Sequence, residues 1–156
     1  MPVGNWLPRL AALIRGESFR AVDYHTSRDH LLNGTLPLPQ KELQAAKRNQ
    51  EYASATHLTL LQQLSLSYDV SLFLYTYRSP LSPYLHTLYA NFTPTVVFSE
   101  LGNNTQESVW CSAFAAIAPA DNERAYHAAL VLRFDMQLYD AAALARTLQR
   151  LSLIHI

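Results

Sequence analysis

The chain has 156 residues, of which 49% are hydrophobic and only 15% charged. This is enough apolar material for one ordinary folded domain and argues against disorder over most of the length. Twelve basic and twelve acidic residues cancel, so no general field favours nucleic acid or an anionic membrane surface. No stretch is apolar enough to span a membrane, and the single cysteine, Cys111, fits a reducing compartment. We therefore expect a cytoplasmic protein.

The first third of the chain predicts two helices. In residues 6–15 the apolar side chains recur at helical spacing and Gly16 follows, which predicts a short amphipathic helix. Residues 17–39 contain turn signals and predict a linker. Residues 40–64 lack Gly and Pro and are rich in helix formers, which predicts a long helix. Its apolar positions are clear only toward its two ends, so its middle is predicted to face solvent or to be frayed.

The middle third predicts a strand, a helix and a second strand. Residues 70–77 are dense in strand formers with apolar groups on both faces, as in a buried strand. Ser82 before Pro83 predicts the capped start of a helix, and residues 95–100 predict the second strand. This order is typical of a β-α-β crossover unit. The tyrosines of this region are predicted to pack in the core: Tyr68, Tyr75, Tyr77, Tyr84 and Tyr89.

The last third predicts a helix, a strand and a helix. Asn104 is the predicted N-cap of the first helix. Residues 126–135 alternate between apolar and polar side chains, which predicts a half-buried strand. Asp140 is the predicted N-cap of the final helix, with Tyr139 packing on Leu144 as a hydrophobic staple.

Several motifs follow one another in this last third. Gln106 and Trp110 lie one turn apart in the predicted helix, an Ala-Pro-x-x-Asn loop follows at residues 118–122, and residues 140–148 read Asp-Ala-Ala-Ala-Leu-Ala-x-x-Leu. This order resembles the opening of a condensation domain of nonribosomal peptide synthetases.

The resemblance covers residues 106–151 and implies the first corner of a chloramphenicol-acetyltransferase-like fold. We therefore expect an α/β chain in three parts. An unidentified region with N-terminal helices and a β-α-β unit fills residues 1–105, and the partial condensation domain fills residues 106–151. Residues 152–156 are expected to be a non-native tail left by truncation.

The resemblance also implies a function for the parent enzyme. Such domains join aminoacyl or acyl groups held as thioesters on carrier proteins, in secondary-metabolite or siderophore biosynthesis. Carrier-protein and adenylation domains are the implied partners, and the phosphopantetheine would belong to the carriers. The implied catalytic motif is a histidine pair ending in Asp-Gly, where one imidazole orients or deprotonates the amine. None of the six histidines has a histidine neighbour. We therefore expect an inactive fragment without catalytic, cofactor-binding or metal-binding residues.

Two other functions remain open. A self-contained α/β interaction module without catalysis fits the same predicted elements. A cysteine amidase is the other, because Cys111 near a helix start could be a nucleophile with His127 as its proton acceptor. A small buried thiol is the commoner use of such a cysteine.

Two further patterns predict no site. Metal-ligand residue types lie close together at Asp23, His25, Asp29 and His30, but no further ligand accompanies them, so solvated side chains are predicted. Thr105 stands where a carrier-protein loop requires serine, which argues against a carrier domain.

Overall fold

The computed structural model of the protein describes residues 6–16, 18–19, 40–78, 81–99, 115 and 126–151. Within these ranges the elements in chain order are β1 (Arg9–Arg15), α1 (Gln40–Leu64), β2 (Asp69–Tyr77), α2 (Ser82–Leu88), a 3-10 turn (Ala90–Phe92), β3 (Thr95–Ser99), β4 (Ala128–Arg133) and α3 (Ala141–Leu151). The strands form one parallel sheet in the order β3-β2-β1-β4. The α/β class predicted from the sequence is confirmed.

The prediction of a helix over residues 6–15 is wrong. Arg9–Arg15 forms β1, which pairs with β2 on one side and β4 on the other. All five residues from 10 to 14 are buried. A central parallel strand is covered on both faces and therefore reads as a continuous apolar run, which also fits helical spacing.

The long helix α1 has the predicted bounds, but its middle does not face solvent. The buried positions run along the whole helix: Ala46, Gln50, Ala53, Ser54, His57, Leu60, Leu61 and Leu64. Polar side chains can occupy such a stripe when they are hydrogen-bonded inside the protein. Because Gln50, Ser54 and His57 are polar, the sequence pattern did not show that the buried stripe is continuous.

The predicted strand, helix and strand of the middle third are confirmed, with β2 and β3 paired in parallel. The predicted cap is wrong. Leu81, and not Ser82, occupies the N-cap position of α2, and no side chain caps this end. Ser82 instead lies buried in the first turn. Pro83 is the second residue of α2 and not the first as predicted, but its missing N–H still costs nothing in the first turn.

The predicted strand and final helix of the last third are confirmed as β4 and α3. Asp140 is the N-cap, since its Oδ1 accepts a hydrogen bond from the Ala143 N–H at 2.7 Å. The predicted staple is wrong because the Tyr139 side chain is fully exposed. The residues that α3 buries most deeply are Ala141 and Ala145. Of the helix predicted after Asn104 the structure describes only Ala115, which is helical.

The sheet has two distinct faces. The helix-covered face carries Leu10, Ala12 and Ile14 of β1, and residues of α1, α2 and α3 belong to the same core cluster. The opposite face carries Ala11 and Leu13, which cluster with Tyr75. Strands on both sides of the boundary predicted at residue 105 belong to this one sheet.

Candidate functional site at the carboxyl edge of the sheet

The strand order reverses direction at β1. The chain passes from β1 to β2 to β3 toward one edge, and β4 lies on the other side of β1. In parallel α/β sheets, ligands bind outside the carboxyl ends of the strands, where the order reverses. The carboxyl ends of β1 and β4 are therefore the candidate location of a ligand site.

The described residues that follow β1 and β4 reach the helix-covered face. Phe19 and Phe134 belong to the core cluster of that face, together with residues of α1 and α3. α1 is about 37 Å long and β1 about 23 Å. Hydrogen bonds of Gln50 to Phe19 and Phe134 place the middle of α1 level with the segments that follow the two strands.

The segment after β1 has a constrained backbone. Gly16 has φ 109°, a region that only glycine enters readily, and its N–H donates to the Tyr75 carbonyl at 3.1 Å. The Ser18 N–H donates to Thr76 Oγ1 at 3.1 Å. Phe19 has φ 56°, which costs energy for a side chain of this size. The surrounding contacts must therefore hold this segment in place.

Gln50 of α1 joins the segments that follow β1 and β4. Its Oε1 accepts a hydrogen bond from the Phe19 N–H at 3.0 Å, and its Nε2 donates to the Phe134 carbonyl at 3.3 Å. Gln50 is only 4% exposed. The amide of one buried side chain thus satisfies the backbone on both sides of the β1–β4 junction.

His57, two turns further along α1, holds the segment after β4. Its Nε2 lies 2.7 Å from the Met136 carbonyl, which can only accept, so Nε2 carries the proton. Nδ1 then accepts a hydrogen bond from the Tyr89 hydroxyl at 2.9 Å. Burial lowers the pKa of His57 to about 4. The imidazole is therefore neutral near pH 7.

Two arginines end β1 and β4 side by side. Arg15 and Arg133 are register partners, and they follow Leu13 and Val131 of the opposite face in the alternation of each strand. Arg133 also holds Asp135 through two hydrogen bonds, Nε to Oδ1 at 2.9 Å and Nη2 to Oδ2 at 2.8 Å. This pairing raises the pKa of Arg133. Partial burial and the charge of Arg133 lower the pKa of Arg15.

The candidates from the sequence do not meet at this edge. Cys111, Thr105 and the acidic and histidine group at residues 23–30 lie outside the described residues. His127 lies at the other end of β4, where its Nδ1 accepts a hydrogen bond from the Arg9 N–H at 3.0 Å. Within the described part of the chain, no group of three or more metal-ligand side chains comes together.

The tyrosines predicted to be structural are mostly core residues. Tyr68, Tyr75 and Tyr89 are buried, and Tyr84 donates a hydrogen bond from its hydroxyl to Glu51 Oε1 at 2.8 Å. Tyr89 packs edge-on against Phe134. Its burial raises the pKa of its phenol, which keeps the hydroxyl protonated as the donor to His57.

The sequence reading missed Gln50, His57, Arg15 and Arg133. For the two residues on α1 a signal was present. Steps of three and four residues along α1 from Ala46 to Leu64 pass through both of them. For the arginines no local signal exists, because their proximity depends on which strands pair.

Comparison with protein-family models, with curated proteins and with solved structures gives no match for this chain. Among the residues that the structure describes, no helix combines the length and the apolar character that crossing a membrane requires.

Proposed function

We propose that this chain is a small-molecule-binding α/β domain whose ligand sits at the carboxyl edge of the sheet, beside β1 and β4. The observation that carries this proposal is the reversal of strand order at β1. Ligands of open parallel sheets bind outside the carboxyl ends of the strands, at such reversals of the strand order. In this chain Phe19 and Phe134, which follow β1 and β4, both bond to Gln50 of α1, so the proposed ligand lies beside these residues.

The buried polar contacts of α1 support the proposal. Burying Gln50 and His57 costs more than burying apolar side chains of similar size, and Phe19 adds backbone strain. Proteins retain such local costs most often at functional sites. The contacts fix the backbone on both sides of the β1–β4 junction, as a preorganised site requires.

A fragment screen by NMR tests this proposal. The isotope-labelled chain would be exposed to a library of neutral, anionic and cationic fragments, with backbone amide shifts as the readout. We expect the shifts of bound fragments to concentrate at residues 15–19 and 133–137. Shifts concentrated at the amino ends of the strands, around residues 8–10 and 126–128, would contradict the proposal. The absence of any binder would contradict it as well and would favour the interaction module.

We propose, as a second candidate, that residues 106–151 belong to a condensation enzyme that joins carrier-bound substrates through an amide bond. The supporting observation is that β4 leads into a helix capped by Asp140, the order of elements that the resemblance implies for these residues. The resemblance gives no role to β1, with which β4 pairs. In such an enzyme phosphopantetheine arms on carrier domains would deliver both substrates.

Sequencing the transcript beyond the codon for Leu151 tests this second proposal. An open frame that continues to a histidine pair followed by Asp-Gly supports the condensation enzyme. A stop codon directly after the helix, or a continuation without that motif, would rule it out.

A further inference from the structure

Residues 134–138, which follow β4 and are called the strap below, are fastened to α1 by side chains. Every second residue of the strap bonds through its backbone to α1, in three pairs: the Phe134 carbonyl with Gln50 Nε2 at 3.3 Å, the Met136 carbonyl with His57 Nε2 at 2.7 Å, and the Leu138 N–H with Thr56 Oγ1 at 3.1 Å. The strap belongs to no strand or helix. Its position on α1 therefore depends on these bonds and on the buried ring of Phe134.

The strap separates His57 from solvent. The His57 side chain is 0% exposed, whereas residues 135–137 of the strap are exposed. One side of the strap thus faces water while the Met136 carbonyl on its other side accepts the imidazole N–H. Displacing the strap would bring water to the imidazole.

The hydrogen bonds of His57 fit only the neutral ring. Nε2 donates to the Met136 carbonyl, and Nδ1 accepts from the Tyr89 hydroxyl. A proton on Nδ1 would make both ring nitrogens donors. The buried Tyr89 hydroxyl would lose its acceptor, and a positive charge would be enclosed in the core, which costs free energy twice.

The groups around His57 do not compensate for that charge. Tyr89, at the end of α2, stays neutral because burial raises the pKa of its phenol. Asp135 of the strap favours the charged imidazole, but both of its oxygens bind Arg133. The other buried side chains of α1 and those of α3 carry no charge. Burial therefore dominates and lowers the pKa of His57 to about 4.

We propose that the strap is a pH-dependent cover, which loosens from α1 when His57 takes up a proton. The imidazolium gains its hydration when the strap is displaced, and the parallel pairing of the sheet does not have to break. Since the open state binds a proton that the closed state excludes, acid shifts the population toward the open state. The inference involves only the strap, α1 and Tyr89, and it goes beyond the proposed ligand site because it requires no ligand.

Amide hydrogen exchange at pH 7 and pH 5 tests the proposal. The Leu138 N–H reports opening of the strap, and the Ala12 N–H in the central strand reports unfolding of the sheet. Protection factors remove the direct effect of pH on exchange. We expect Leu138 to be much less protected than Ala12, as in local opening. With a pKa of 6.5 in the open state and about 4 in the closed state, the protection of Leu138 should fall about 20-fold from pH 7 to pH 5.

Three variants assign the effect. His57→Gln should show nearly the same Leu138 protection at both pH values. His86→Gln is the matched control, because His86 is exposed on α2, and it should keep the full change. Thr56→Val removes one bond of the strap without touching His57, so it should lower the Leu138 protection by the same factor at both pH values.

Two results with the unmodified chain would overturn the proposal, so it can be decided even if His57→Gln does not fold. Equal protection of Leu138 and Ala12 would show that the strap opens only when the whole domain unfolds. A Leu138 protection that does not change between pH 7 and pH 5 would show that proton uptake is not coupled to opening. A full change that persists in His57→Gln would also overturn it, by assigning the effect to another group. None of these results bears on the proposed ligand site, which the fragment screen tests separately.

Discussion

At the scale of single residues, two buried polar side chains of α1 organise the carboxyl edge. Gln50 and His57 bond to backbone groups that no strand or helix partner satisfies. A buried polar group without its partner costs about 1–3 kcal/mol. These two residues therefore stabilise the segments after β1 and β4 through their hydrogen bonds, although neither side chain is apolar.

His57 should make the stability of the protein depend on pH. Its folded-state pKa of about 4 lies below its ordinary value of 6.5, so between these values the unfolded chain binds more protons. Stability should therefore be complete above pH 6.5 and fall as the pH drops toward 4, by about 3 kcal/mol at most. Urea denaturation at a series of pH values measures this loss. His57→Gln should show a much flatter profile over the same window, and equal slopes for both proteins would contradict the assignment.

Gln50→Leu should destabilise the protein by about 2–5 kcal/mol, because it leaves the Phe19 N–H and the Phe134 carbonyl buried without their partner. The same substitution at Gln62, which is exposed on α1, should change the free energy of unfolding by less than about 0.5 kcal/mol. Denaturant unfolding of both variants gives the comparison. Equal effects would show that the Gln50 contacts contribute nothing specific.

At the scale of elements, only some of the helix-end contacts that residue type suggests are present in the structure. Asp140 makes its capping hydrogen bond, whereas Ser82 makes none and Tyr139 makes no staple. Residue type alone could not separate these cases, because a cap depends on the local backbone path into the helix.

Asp140→Ala should lower stability by about 1 kcal/mol, the usual cost of losing an N-cap side chain. Asp140→Asn retains an acceptor oxygen and should recover most of this loss. Tyr139→Ala should have almost no effect, since its side chain is fully exposed. Thermal unfolding of the three variants checks all three expectations. If Tyr139→Ala lowered stability as much as Asp140→Ala, the predicted staple would be present after all.

Elements with a distinctive local pattern could be predicted, and those defined by their neighbours could not. The 25 residues of α1 contain no Gly or Pro, and β4 alternates clearly, so both follow from the sequence. The apolar run of β1 fits a helix and a central strand equally, and only its pairing with β2 and β4 decides. The candidate site could not be predicted for the same reason. Arg15 and Arg133 are far apart in the chain and become neighbours only through the strand order.

At the scale of the whole molecule, β1 is the element on which the architecture and the site both depend. It lies between β2 and β4 and brings a strand from the start of the described chain beside one from its last third. Without this pairing the order would not reverse, and Arg15 and Arg133 would not be neighbours. The proposals for the carboxyl edge therefore stand on the placement of β1.

Cross-strand nuclear Overhauser contacts of β1 test that placement most directly. Ala12 is expected to show backbone contacts to Leu72 of β2 and to Leu130 of β4, its register partners on either side. Strong sequential amide contacts along residues 9–15, as in a helix, without any contact to residues 128–133 would contradict the sheet order and the site built on it.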